Sequence, residues 1–170
     1  VFAAANALAV ALDATRVSIG LRRGSGRLRV VAMSHAVTTG EKTRLRQLVT
    51  AAMEETLEQN ATIALPAPAG GPLHIVVALR ELIEAAKVRS ATSLILSYGG
   101  RPIGAMTLER IERAFSPEEL DRLEAAAFML GPLLALKDEG DAFIAGKVKS
   151  VAQTISGRLF GRRHLVLKVS

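Results

Sequence analysis

Apolar positions along this chain follow two periods, one of about 3.6 residues and one of 2. Between Glu41 and Gln59, Leu45, Leu48, Val49, Ala52, Met53 and Leu57 recur at helical spacing, with Arg44, Arg46, Glu54, Glu55 and Glu58 between them, which predicts an amphipathic helix. Leu120, Leu123, Ala127, Leu130 and Leu134 repeat that stripe behind Ser116-Pro117-Glu118-Glu119. A capping serine, a proline at the first helical position and acids in the first turn start that helix well. It is predicted from Pro117 to about Lys137, with Gly131-Pro132 as a place for a kink. Phe2 to Asp13 is a further helix, apolar enough to need a partner, and Leu73 to Ala86 returns to helical spacing, although Ile75, Val76 and Val77 are β-branched.

The shorter period marks strands. Arg16–Leu21 and Leu28–Met33 are joined by Arg22-Arg23-Gly24-Ser25-Gly26, and Ala91–Ser97 and Ile103–Leu108 by Tyr98-Gly99-Gly100-Arg101-Pro102, so two β-hairpins are expected. Thr62–Leu65 is a short strand candidate, ended by a Pro- and Gly-rich loop from Pro66 to Pro72. Residues from Ala142 to Ile155 read as helical, before Gly157 and Gly161 loosen the chain. Hairpins separated by helices predict an α+β domain, an antiparallel sheet flanked by helices.

Composition narrows the chemistry. The 170 residues contain no cysteine, which removes disulfides, thiolate metal sites, cysteine nucleophiles and thioether-linked chromophores together. Aromatics are only 4% and tryptophan is absent, so the core is aliphatic and poorly suited to stacking on bases or sugars. No window approaches the roughly 18 uninterrupted apolar residues of a membrane span, and the Ala-rich start lacks the basic residues of a secretory signal. A soluble piece is expected, and the absence of an initiator methionine before Val1 points to an excised fragment. Of the net charge of +6, residues 141–170 carry six basic side chains against the single acid Asp141. The body is therefore nearly neutral and offers no nucleic-acid-binding face.

The run VRSATSLILSYGGRPIGAMTLERIERAFSPEELDRLEAAAFMLGPLLALK, with Ile103-Gly104, Phe115 and Leu120 at their intervals, resembles the second half of a GAF domain. Leu8 through Met33 is similar to that family's opening helix and hairpin, so the resemblance covers residues 1–138 and leaves 139–170 as a basic connector. It implies a sensor fold related to PAS-like domains and a small-molecule ligand or a dimerising role. The missing cysteine excludes covalent bilin attachment and sulfoxide-reductase chemistry, and the cyclic-nucleotide signature is only fragmentary around Phe115 and Glu119. The tail Gly157-Arg158-Leu159-Phe160-Gly161-Arg162-Arg163-His164 is similar to the segment joining a GAF domain to a membrane anchor in some bacterial efflux periplasmic adaptor proteins. That resemblance implies a cytoplasmic domain tethered to the inner membrane, with Arg158, Arg162, Arg163 and Lys168 near the lipid surface. The other reading makes His164 to Val169 an added strand or a docking segment.

No catalytic set assembles. Glu54, Glu55 and Glu58, like Glu118, Glu119 and Asp121, share single helices and read as solvated faces rather than paired carboxylates. Gly24-Ser25-Gly26 leads into a strand, not a helix, so it is no dinucleotide turn, and neither a nucleophile elbow nor a metal-spaced pair of histidines occurs. His35 closes the first hairpin and stands as a ligand contact or a surface histidine. His74, Ser93 and Thr107 are polar groups in apolar segments and line a candidate pocket, the alternative being a packed core without ligand. The expected protein is a non-catalytic regulatory module, with a homodimer formed through the opening helix and the helix from Pro117, which should share one sheet face.

Overall fold

The computed structural model describes residues 2–22, 26–35 and 39–136, together with 147, 149–151, 153 and 154. Its elements follow the order α1 (Phe2–Ala11), β1 (Arg16–Arg22), β2 (Leu28–Met33), α2 (Thr39–Gln59), β3 (Ile63–Leu65), α3 (Val77–Ala86), β4 (Ser90–Tyr98), β5 (Arg101–Arg110) and α4 (Pro117–Ala135). The five strands form one antiparallel sheet in the order β2-β1-β5-β4-β3.

Strand alternation sorts the sheet into two faces. Val17, Ile19, Leu94, Leu96, Met106 and Leu108 point to one side, where they pack with Ala4 and Leu8 of α1, Leu12 just past its end, and Leu123, Ala127, Leu130 and Leu134 of α4. Ala91 and Ala105 point to the other side and join Val49, Ala52 and Met53 of α2 and Leu79 and Leu82 of α3. The sheet therefore lies between two helical layers, with α1 and α4 on the same face as expected. Val151 packs against that first cluster, and the described positions between 147 and 154 are helical.

Glycine is required where backbones meet. A Cβ on Gly131 would overlap the carbonyl oxygen of Ser97, and one on Gly104 would overlap that of Gly20, so α4 rests on β4 and β5 on β1 at closer range than a side chain permits.

The two later helices begin differently. Ser116 accepts from Glu119 N–H at 3.2 Å while the Glu119 carboxylate accepts from Ser116 N–H at 2.9 Å, a complete capping box. The start of α3 falls at Val77, four residues later than the periodicity predicts. Gln59 holds Ile75 by both backbone groups, accepting from its N–H and donating to its carbonyl, each at 2.8 Å. Glu55 accepts from Val77, Ala78 and Leu79 N–H. With Ile75 already clamped to α2, the helix starts after it, on a carboxylate 22 residues earlier in the chain.

Candidate functional site

On β1, Arg16, Ser18 and Gly20 alternate with the core residues Val17 and Ile19 and so face α2; on β5, Ala105, Thr107 and Glu109 do the same. Register places Arg16 opposite Glu109 and Ser18 opposite Thr107, and Thr107 is in turn opposite Ser93 of β4. A polar row crosses three strands in an otherwise aliphatic layer. Thr107 donates to Ser93 Oγ at 3.2 Å, which settles one end of it.

The other end is not settled. Glu109 is fully buried, and neither carboxylate oxygen accepts a hydrogen bond; Arg16 Nε and Nη1 and Ser18 Oγ are likewise buried without a partner. Arg16 Nε stands 3.8 Å from Glu109 Oε1, an ion pair too long for a hydrogen bond. Burial pushes the Glu109 carboxyl up to about 7, against the pull of the Arg16 guanidinium.

On the opposite face the next residue, Arg110, is fully engaged. It donates to the carbonyls of Leu12 and Asp13 at the end of α1, each at 2.7 Å, and to Glu119 in the first turn of α4 at 3.0 Å, while its guanidinium lies 4.1 Å from the centre of the Phe115 ring. Arg113 adds two bonds of 2.7 Å to Glu119 and one to Asp13. Although burial opposes ionisation, the hydrogen bonds from Arg113 and Arg110 hold the Glu119 carboxyl down at about 2.

A separate groove of about 750 Å³ opens between the Pro-rich loop, β3 and the start of α4. Leu65, Val76, Ile95 and Leu120 supply apolar walls, and His74, Arg80, Asp121 and Glu124 supply polar groups.

The four residues singled out from the sequence thus occupy three places. Ser93 and Thr107 meet in the buried row; His74 lines the groove; His35 is exposed, with a left-handed φ of 49°, just past Ser34, whose Oγ accepts from Val17 N–H. Arg158, Arg162, Arg163 and Lys168 lie outside the described residues. Arg16, Ser18, Glu109 and Arg110 were not singled out. The signal was present: Arg16 and Ser18, like Thr107 and Glu109, stand two apart, and the strand estimate that stopped at Leu108 left Glu109 off the sheet. Among the described residues no group of three or more His, Asp or Glu side chains is placed to hold a metal ion, and no helix is long and apolar enough to cross a membrane.

The GAF domain family model matches residues 2–132. The chain belongs to the GAF domain family. Similar solved structures include a domain assigned to a two-component sensor histidine kinase protein of Sinorhizobium meliloti 1021, 23% identical, covering 76% of this chain and 84% of that one with a TM-score of 0.49. The GAF domain/HD domain protein of Geobacter sulfurreducens is 12% identical over 95% of this chain and 91% of that one, with a TM-score of 0.48. The blue-light absorbing form of the Thermosynechococcus elongatus PixJ GAF domain is 17% identical over 96% and 92%, also at 0.48. A search of curated proteins gives no match. GAF domains are sensor and regulatory modules of signalling proteins and are generally not catalytic.

Proposed function

We propose that this GAF domain binds a small molecule on the α2 side of its sheet and reports it to the rest of a larger, membrane-anchored bacterial protein. The observation that carries this reading is the unpartnered set of Arg16, Ser18 and Glu109. Each buried polar group left without a partner costs roughly 1–3 kcal/mol, more when charged, and a purely structural module has no use for that cost. A ligand that completes the hydrogen bonds recovers it.

The reporting route is short. Glu109 and Arg110 are consecutive on β5 and face opposite layers, and Arg110 joins the end of α1 to the start of α4. A change of charge or hydrogen bonding at Glu109 therefore acts on the strand that holds the two outer helices together. A thermal-shift screen of polar metabolites tests the reading: a ligand at 100 times its Kd stabilises by about 2.7 kcal/mol. A broad library without one saturable shift overturns it.

Exposed apolar residues favour a second role alongside the first. Val10 on α1 and Phe128 on α4 are 78% and 76% exposed, and Met129 is also exposed, so a homodimer through the α1/α4 layer is expected. Sedimentation equilibrium checks it; a monomer mass at every concentration rules it out. For the basic tail we propose a place at the cytoplasmic face of the inner membrane, as in efflux adaptors, with Arg158, Arg162, Arg163 and Lys168 each contributing on the order of 1 kcal/mol at an anionic surface. Co-sedimentation with anionic vesicles at low salt supports this, and indifference to such vesicles overturns it.

A further inference from the structure

The unpartnered groups also carry a charge pattern. Arg16 Nε and Nη1 are donors on a cation, Glu109 Oε1 and Oε2 are acceptors on an anion, and Ser18 Oγ serves either way. All three residues face α2 from adjacent strands, and the opposite charges stand 3.8 Å apart. The block is thus a fixed dipole, buried beside aliphatic neighbours.

A ligand with net charge fits it poorly. An anion satisfies Arg16 but is repelled by the ionised form of Glu109, and a cation is repelled by Arg16; in a low-dielectric interior neither repulsion is screened. A neutral apolar ligand leaves all five atoms as they are. What matches a buried dipole is a second dipole lying antiparallel, anion to guanidinium and cation to carboxylate.

We propose that the Arg16–Ser18–Glu109 block is a binding site for a small zwitterion of the α-amino acid type, its carboxylate on Arg16 and Ser18 and its ammonium on Glu109. The proposal rests on the ligand-binding reading above and deepens it. The neighbours limit the side chain: Met33 lies opposite Ser18 and Ala91 opposite Glu109, and the buried cluster on this face contains Leu, Val, Ile, Met and Ala with no aromatic ring. A short aliphatic amino acid suits those walls. Arg16, whose side chain keeps 11% exposure while Glu109 keeps none, marks the side nearest solvent.

Binding should also move a proton. The unliganded Glu109 carboxyl, raised to about 7 by burial, is partly protonated at neutral pH, and an ammonium beside it drives ionisation. Proton release near pH 7 is therefore expected, read as a dependence of calorimetric enthalpy on the ionisation enthalpy of the buffer.

The experiment uses the full chain with valine, with 3-methylbutanoate, which lacks the ammonium, and with 2-methylpropylamine, which lacks the carboxylate. Valine is expected to raise Tm saturably and to release protons near pH 7, and both single-charge analogues to bind at least tenfold more weakly. Glu109→Gln should weaken valine binding at least tenfold and abolish proton release while the unliganded protein stays folded. Ser18→Ala, the milder variant, should weaken binding with proton release intact. Equal binding of the carboxylate alone, valine binding indifferent to Glu109→Gln and Ser18→Ala, or no response to any aliphatic amino acid at millimolar concentration each overturns the proposal. If another metabolite raises Tm while amino acids do not, the zwitterion is wrong and the ligand-binding reading stands; if nothing does, both fall.

Discussion

The two faces of the sheet each bury an arginine and a glutamate, and they treat them oppositely. On the α1/α4 face Arg110 and Glu119 meet at 3.0 Å inside a network that spends the arginine's donors on two helix-end carbonyls and the glutamate's oxygens on two guanidinium groups. On the α2/α3 face Arg16 and Glu109 stand 3.8 Å apart, and both Glu109 oxygens are without a hydrogen bond. The consequence shows in acidity: Glu119 is held at about 2, Glu109 is raised to about 7. A buried ion pair is thus not one kind of thing. Supported on every side it joins elements; left short of partners it is a costly interior that protonation of the carboxyl relieves.

Breaking the satisfied pair should have the largest effect. Arg110→Met strands the carbonyls of Leu12 and Asp13 and removes one cation from Glu119, and a loss of about 3–5 kcal/mol in urea unfolding is expected. A loss under 1 kcal/mol would mean that Arg113 alone carries the junction.

Relieving the unsatisfied pair should go the other way, with a pH signature. Glu109 has a folded pKa above its unfolded value, so its contribution is fully present below about pH 4.5 and is lost as pH rises through 7. Glu109→Gln should therefore match the parent near pH 4.5 and exceed it by on the order of 3 kcal/mol above pH 8. Glu119 has the opposite sign: its folded pKa is depressed, so its stabilisation is present above the ordinary carboxylate range and is lost as pH falls toward 2. Urea midpoints from pH 3 to 9 separate the two; parallel curves for parent and Glu109→Gln would contradict the difference between the faces.

The smallest test compares the two helix starts. Ser116→Ala removes a local cap on the α4 face and should cost about 1 kcal/mol, leaving the rest of the fold unchanged. Glu55→Ala removes a cap supplied from α2 on the other face and should cost about 1–2 kcal/mol. It should also raise hydrogen exchange at Val77, Ala78 and Leu79 selectively. Equal exchange before and after would show that α3 starts without α2.

Much of this was legible in residue order. The stripe of α2, the capping signal at Ser116 and both hairpins follow from local spacing, because a period of 3.6 or 2 fixes which residues can lie on one side of an element. Ser93 and Thr107 stand out in the sequence as polar residues in apolar segments, but nothing in their neighbourhoods along the chain says that they face each other.

Partnership across the sheet is where local reading ends. Glu109 and Arg16 are 93 positions apart, and whether a charged residue at a strand end is solvated or buried depends on which helix crosses it. The late start of α3 has the same origin, since Gln59 and Glu55 reach it from another helix. Sequence by itself determined the elements, the aliphatic core, the absence of thiol chemistry and the family, all of which depend on residue identity and near neighbours. Only the tertiary structure decided that Arg110 is satisfied and Arg16 is not, because hydrogen bonding in a buried layer depends on distances and directions between segments remote in the chain.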